Sequence, residues 1–182
     1  MKNQIYNQTS LFGPLYRYLV VISPPEQIKS DVAKIKRELN TVVNIGEKNQ
    51  HSIAHITLVD KLTDDSNFTE TIAQLIAYQK PFPIKINGWK IFDHRHSVTL
   101  YLDVENSELI LPLMRFMKSS SKSPHISLAK RIPHETLEKL STYLQDFTYT
   151  NEWMCSEVVV LRKLVEDKDQ TYKESFRISF KE

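Results

Sequence analysis

The sequence has few of the residues that build disulfides and backbone phosphate-binding loops. Its single cysteine, Cys155, excludes an internal disulfide and indicates a reducing compartment. Its three glycines, Gly13, Gly46 and Gly88, lie too far apart for a P-loop or a dinucleotide-binding loop. No apolar run approaches the ~20 residues that span a bilayer. We therefore expect a cytoplasmic protein without membrane association, in which side chains would have to hold any bound phosphate.

A strong excess of charge of one sign is also absent. The 24 Lys and Arg residues nearly balance the 22 Asp and Glu residues, which gives a formal net charge of +2. This charge argues against tight nonspecific binding to long nucleic acids and is compatible with a small anionic ligand or a nucleic-acid end. A hydrophobic fraction of 41% over 182 residues is enough to form a core. We expect a flexible leader at residues 1–14 and a single folded domain at residues 15–182.

Apolar periodicity predicts an alternation of strands and helices. The first strand is expected at Tyr16–Ile22, followed by a helix that Ser23 would cap. Further strands are expected at 53–59, 125–129, 154–164 and 175–180, and further helices at 68–80, at 107–117 and after Pro133. Two β-rich runs, 83–92 and 97–104, are expected to form a hairpin. This order predicts an α+β fold rather than a doubly wound parallel sheet.

Two nine-residue segments of the chain align without gaps. Residues 54–62 read AHITLVDKL and residues 124–132 read PHISLAKRI, so both contain His, Ile, a hydroxyl residue and Leu in that order. At ordinary composition, roughly one histidine in a hundred is followed by x-[Ser/Thr]-Leu. The chain has six histidines, so two such matches by chance are improbable.

The spacing within each segment places its polar residues together. Residues i and i+2 of a strand point to the same face, so His55 lies beside Thr57, and His125 beside Ser127. If the two strands are neighbours, two imidazoles and two hydroxyls converge. The hydroxyls would hold the nonbridging oxygens of a phosphate, while one imidazole donates a proton and the other accepts one. Histidine suits both roles near neutral pH.

The paired segments resemble the motifs of the 2H phosphoesterase superfamily, which includes the bacterial 2'-5' RNA ligases and the cyclic phosphodiesterases. The resemblance extends from about Tyr16 through YLVVISPPEQI, the central hairpin and PHISLAKRI to the terminal strand. It implies a bilobal, LigT-like α+β fold, with two antiparallel sheets and outer helices around a pseudo-twofold cleft. This sequence departs from the family pattern in having Ser127 where threonine is common and a short segment at 107–124.

The resemblance implies a metal-independent phosphodiesterase without a cofactor. Its expected substrates are a 2',3'-cyclic phosphate or a 2'-5' linkage of an RNA end, a cyclic nucleotide or a 2'-5' oligonucleotide, and reverse 2'-5' ligation is implied as well. His125 is assigned as the base and His55 as the acid. Thr57, Ser127 and Lys130 are expected to bind the phosphate. Tyr18 and Tyr172 are candidates for stacking on a base.

Less specific interpretations of the same residues stay open. The histidines could belong to a non-catalytic module that binds RNA ends or cyclic nucleotides, or to a structural protein that keeps only the fold. Lys130 could be a solvated strand end. The segment Asp93–His96 has H-x-H spacing, but no further ligand cluster supports a metal there. Imidazoles that face each other across an open cleft would favour an enzyme, and no obligate protein partner is indicated.

Overall fold

The computed structural model describes residues 13–166 and 171–181, so most of the predicted leader lies outside the described residues. Eight strands are described: β1 (Tyr16–Ile22), β2 (Ile56–Thr63), β3 (Phe82–His94), β4 (Ser97–Val104), β5 (His125–Ile132), β6 (Thr150–Cys155), β7 (Glu157–Leu164) and β8 (Lys173–Ser179). The described helices are α1 (Glu26–Val42), α2 (Glu47–Gln50), α3 (Phe68–Leu75), α4 (Leu111–Phe116) and α5 (His134–Asp146), and a 3-10 turn spans Ser107–Leu109.

All eight strands belong to one antiparallel sheet with the order β6-β3-β4-β5-β2-β1-β7-β8. The α+β class is confirmed, whereas the expectation of two separate sheets is wrong. The two halves are continuous because β2 pairs with β5 at Ile56 and Ile126. The boundary between β5 and β2 leaves four strands in each half, and each half contributes one histidine motif beside this boundary. The strand order therefore has the pseudo-twofold arrangement that the repeated motif predicts.

The connection between β6 and β7 shows that the sheet is strongly curled. Only Ser156 separates these strands, although β6 forms one edge of the sheet and β7 lies next to the opposite edge. The sheet edges must therefore approach each other, which gives a half-barrel. The Phe180 amide donates to the Ser156 carbonyl at 2.7 Å, and the Phe180 and Phe82 rings stack at 5.8 Å. The single strand predicted at 154–164 is thus two strands that serve different halves of the sheet.

Helices cover the buried side chains of the strands. Helix α1 buries Ile28, Val32, Ile35 and Leu39, as the periodicity predicts. It begins at Glu26, and Pro25 occupies the cap position, so the expected cap by Ser23 is wrong. The helices cross between the two halves, because α1 contacts β5 and α5 whereas α4 contacts β2. Within the described residues, no helix has the length and apolar character needed to cross a membrane.

The contribution of the Ile56–Ile126 pair to stability can be tested by truncating either side chain. Ile56 and Ile126 are both 0% exposed, and removing a buried aliphatic side chain loses transfer free energy and leaves a cavity. We predict that Ile56→Ala and Ile126→Ala each lower the free energy of unfolding by about 2–5 kcal/mol, measured by urea denaturation.

The control is Ile53→Ala, since Ile53 lies three residues before Ile56 and is 71% exposed. This variant should change the free energy of unfolding by less than about 0.5 kcal/mol. An equally small loss for Ile56→Ala would show that the join does not depend on this side chain.

Candidate active site

The first histidine motif contains a β-bulge directly after its hydroxyl residue. Thr57 pairs with Val21, whereas Val59 pairs with the preceding residue of β1, so Leu58 is the extra residue. A bulge shifts the alternation of side chains by one position. Asp60 therefore returns to the face of the sheet that carries Thr57.

The second motif has the same irregularity at the equivalent position. Ser127 pairs with Tyr101, whereas Ala129 pairs with the preceding residue of β4, so Leu128 is the extra residue. This shift brings Lys130 to the face that carries Ser127. The bulges place Asp60 and Lys130, each five residues after a motif histidine, on the cleft face of the two halves.

The strand pairing sets each histidine opposite the hydroxyl of the other motif. Ile56 pairs with Ile126 in antiparallel register. The flanking residues therefore place His55 across from Ser127, and Thr57 across from His125. His55 and Ser127 line a common pocket of about 480 Å³. The two imidazoles also interact electrostatically, because a positive charge on His125 lowers the pKa of His55.

Both imidazoles are fixed by the same kind of hydrogen bond. His55 Nδ1 lies 2.8 Å from the Ile53 carbonyl, and His125 Nδ1 lies 2.9 Å from the Ser123 carbonyl. Since a carbonyl oxygen only accepts, each Nδ1 carries a hydrogen and donates it. The Nε2 atom of each ring is then the nitrogen that gains or loses a proton. One imidazole can serve as base when neutral, and the other as acid when protonated.

Burial favours the neutral form of both histidines. It lowers the pKa of His55, and the positive charges of Lys130, Lys36 and His125 lower it further, while the Ile53 carbonyl opposes the shift. Burial also lowers the pKa of His125, with an additional contribution from Lys130. Among the described residues, no carboxylate contributes to the pKa of either imidazole in the direction of its charged form.

The side of the cleft next to His55 is basic. Its pocket is lined by Lys48, Lys130 and Arg131, and none of the described residues that line it is acidic. The backbone of Lys130 is clamped by Asn49, whose Nδ2 donates to the Lys130 carbonyl at 3.0 Å and whose Oδ1 accepts from the Lys130 amide at 2.9 Å. Arg131 follows with a φ of +56°, a strained conformation for a residue other than glycine.

The equivalent position on the other half carries a carboxylate that forms an ion pair with an arginine. Asp60 accepts hydrogen bonds from Arg17 Nε at 2.8 Å and from Arg17 Nη2 at 2.7 Å. In such a bidentate pair, the positive charge of Arg17 offsets the negative charge of Asp60. The pseudo-twofold cleft is therefore symmetric in its histidines and hydroxyls but asymmetric in charge.

A buried lysine lies beneath the basic side. Lys36 of α1 is 1% exposed, and its Nζ donates to the Ser52 carbonyl at 2.7 Å and to Ser52 Oγ at 2.6 Å. Burial lowers the Lys36 pKa to about 8, and the charge of Lys130 contributes. Lys36 is not part of either histidine motif, but its place in the sequence carries a signal. Lys36 lies four residues after Val32 and three before Leu39, on the apolar face of α1.

Aromatic rings surround the second histidine. Phe92 stacks on Tyr101 at 4.1 Å, and its ring centroid lies 4.9 Å from that of His125 in an edge-on arrangement. The Tyr101 ring lies 5.1 Å from the His125 ring. Tyr101 is buried and Phe92 is half-buried. These rings could not be assigned to the site from the sequence, because the hairpin that carries them is distant from the second motif along the chain.

The two tyrosines considered for base stacking have different surroundings. Tyr18 is 2% exposed and packs on Phe68 at 4.7 Å, so the prediction that it stacks on a base is wrong, because its faces are covered by the core. Tyr172 is half-buried, with Lys163 Nζ 5.1 Å from its ring centroid. Burial and the nearby charge of Asp60 raise the Tyr172 pKa. Tyr172 remains a candidate.

The remaining histidines do not form a metal-binding cluster in the part of the chain that the structure describes. Asp93 and His94 end β3 and are followed by the turn of the predicted hairpin. His134 Nε2 lies 2.8 Å from Asp93 Oδ1, which joins the start of α5 to this turn. The H-x-H segment is therefore part of a surface hairpin.

Comparison with known proteins places this arrangement in a family. Residues 24–167 match the 2'-5' RNA ligase superfamily, and the chain belongs to this superfamily of 2H phosphoesterases. A sequence search of curated proteins gives no match.

Solved structures share the fold at low sequence identity. The protein TT0787 of Thermus thermophilus is 16% identical, with a TM-score of 0.66 over 90% of this chain and 97% of its own. E. coli LigT complexed with 3'-AMP is 12% identical, with a TM-score of 0.63 over 92% and 99%. Kluyveromyces marxianus Usb1 is 11% identical, with a TM-score of 0.50 over 93% and 99%. The fold of this chain is therefore LigT-like.

The buried charge of Lys36 predicts a pH-dependent stability difference. The Lys36 pKa falls from 10.5 to about 8 on folding, so between these values the unfolded chain binds more protons and the stability rises with pH. Relative to Lys36→Met, the wild type should gain up to about 3 kcal/mol in free energy of unfolding between pH 7 and pH 10.5. Denaturation across this pH range measures the difference.

The matched control is Lys34→Met on the same helix, since the Lys34 side chain is 72% exposed. This variant should follow the wild type at every pH. A constant difference between wild type and Lys36→Met would mean that Lys36 keeps its ordinary pKa in the folded protein.

Proposed function

We propose that this chain is a metal-independent phosphodiesterase in which His55 and His125 act as a general acid–base pair. Its proposed substrates are a 2',3'-cyclic phosphate or a 2'-5' linkage at an RNA end or in a nucleotide. The observation that carries this proposal is the reciprocal arrangement of the two motifs. Each imidazole has a fixed Nδ1 and lies across from the hydroxyl of the other motif.

The arrangement supports an in-line displacement at phosphorus. Thr57 and Ser127 donate hydrogen bonds to the nonbridging oxygens, and Lys130 offsets the negative charge that develops there. One neutral imidazole takes a proton from water as the water oxygen bonds to phosphorus. The bond from phosphorus to a ribose oxygen breaks, and the other imidazole gives its proton to that oxygen. If a ribose 5' hydroxyl takes the place of water at a 2',3'-cyclic phosphate, the same steps form a 2'-5' linkage as the bond from phosphorus to the 3' oxygen breaks and this oxygen gains the proton.

Two further features support a nucleotide substrate. Phe92 lies beside His125, and half-buried aromatic rings support unpaired bases. Structures of E. coli LigT are complexed with 3'-AMP and with NADP+, so a protein of the same fold holds nucleotides. The alternative function is a module that binds RNA ends or cyclic nucleotides without turnover, and it would use the same cleft.

The histidine pair is tested by single substitutions. Loss of one proton-transfer group costs about 10²–10⁴-fold, so His55→Ala and His125→Ala should each lower kcat/KM for a 2',3'-cyclic nucleotide by at least about 100-fold. The wild-type pH profile of kcat/KM should be bell-shaped. Because burial lowers the pKa of both rings, its maximum should lie below the ordinary histidine value of about 6.5.

The matched control is His96→Ala, since His96 lies exposed in the turn between β3 and β4. Its activity should equal that of the wild type. Wild-type binding of the cyclic nucleotide without turnover would instead support the binding module. Full activity of both motif variants would show that the two histidines take no part in the reaction. Activity that disappears on chelation and returns with Zn²⁺ would reject the metal-independent mechanism.

The hydroxyl groups are tested by Thr57→Val and Ser127→Ala. Thr57→Val keeps the shape of the side chain and deletes the donor. A hydrogen bond to a charged group contributes about 1.5–3 kcal/mol, so each variant should lower kcat/KM by roughly 10- to 100-fold without loss of folding. Steady-state kinetics on the same cyclic nucleotide measures the loss. Unchanged kinetics in both variants would exclude these hydroxyls from phosphate binding.

A further inference from the structure

The two motif histidines have nearly identical local contacts. Both rings have the same Nδ1 hydrogen bond to the carbonyl two residues earlier, and each lies across from a hydroxyl. These contacts alone assign neither ring as base or acid. The difference must come from groups that are present on only one side of the cleft.

Lys36 is such a group. Among the described residues, Lys36 is the only buried lysine, arginine, aspartate, glutamate or histidine. The helix in the equivalent position of the other half, α4, buries Leu113 and Met114 instead. A buried positive charge therefore lies on the side of His55 alone.

Lys36 also anchors the segment that fixes the His55 ring. Its two hydrogen bonds hold Ser52, and the next residue, Ile53, provides the carbonyl that accepts from His55 Nδ1. Ser52 Oγ donates in turn to the Asn49 carbonyl at 3.0 Å. The Asn49 side chain binds the backbone of Lys130. One buried ammonium thus supports a continuous network from α1 to His55 and to β5.

We propose that Lys36 is a positioning residue that makes the two histidines unequal, so that His55 is the partner that more readily stays neutral and acts as the proton acceptor. The role as acceptor rests on the proposed function. Water then loses its proton to His55 Nε2 as its oxygen bonds to phosphorus, and His125 Nε2 protonates the ribose oxygen as its bond to phosphorus breaks. This order is the reverse of the assignment that the family resemblance implies.

The charges around each ring agree with this order. The charge of Lys130 lowers the pKa of both rings, whereas the charge of Lys36 lowers the pKa of His55. Asp60 on β2 acts on Lys130 and raises its pKa. The further charged groups that line the His55 pocket are Lys48 on α2 and Arg131 on β5. Since the Lys36 pKa is about 8, Lys36 is charged throughout the range in which His55 titrates.

The test is an NMR titration of the histidine ring signals in wild type, Lys36→Met, Lys36→Arg and Lys34→Met. Lys36→Met keeps the length of the side chain and removes its charge, so the His55 pKa should shift upward, and that of His125 should shift less. The acidic limb of the pH profile of kcat/KM should move to higher pH with it. Lys36→Arg should restore the wild-type titration, and Lys34→Met should not change it.

The order of the two roles is tested with a nucleotide nitrophenyl phosphodiester, whose leaving group needs no proton. If His125 is the acid, His125→Ala should retain at least about 10-fold more activity on this ester than His55→Ala. The opposite ranking would overturn the assignment. An unchanged His55 pKa in Lys36→Met would overturn the role of Lys36.

The two proposals fail in distinguishable ways. The titration needs no turnover, so it tests Lys36 even if the wild type hydrolyses none of the substrates. Turnover by the wild type together with an unchanged His55 pKa in Lys36→Met would leave the proposed function in place and reject this inference. An upward His55 shift without turnover of any substrate would reject the proposed function and the acceptor role, and leave Lys36 as the group that makes the rings unequal.

Discussion

The site depends on the pairing of Ile56 with Ile126 at the centre of the sheet. This pair is the register that joins the two halves, and both isoleucines are fully buried. Because the pair is antiparallel, it sets each motif histidine across from the hydroxyl of the other motif. A shift by one residue would turn the polar side chains of one motif into the core. The short connection at Ser156 links the two halves of the curled sheet a second time, away from the Ile56–Ile126 pair in the strand order.

Differences in charge make the two sides of the otherwise symmetric cleft unequal. Asp60 and Lys130 occupy equivalent positions two residues after the bulges, but Asp60 is paired with Arg17, whereas Lys130 lines a pocket without an acidic residue among its described lining. The buried Lys36 adds a second positive charge on the same side. The other side carries the Phe92 and Tyr101 rings around His125. The cleft therefore has one basic and one aromatic side.

The sequence predicted the features that depend on local periodicity and on the repeat. The α+β class, the hairpin of β3 and β4, the apolar face of α1 and the pairing of two histidine motifs could all be inferred from residue spacing. The sequence did not predict that Cys155 and Glu157 belong to strands of different halves, because one apolar run covers both. It placed Tyr18 at the site although this ring faces the core. It missed Phe92 and Lys36 because their proximity to the histidines depends on tertiary contacts. A lysine on an apolar helix face was the available signal.

A double-mutant cycle on kcat/KM for a 2',3'-cyclic nucleotide tests the central claim most directly, namely that His55 and His125 act as one acid–base unit. Groups that act together in one step lose their contributions together. If so, the double variant His55→Ala/His125→Ala should have a kcat/KM only slightly lower than that of the less active single variant. Losses that multiply, so that the double variant falls by the product of the two single effects, would show that the histidines act independently and would contradict the account.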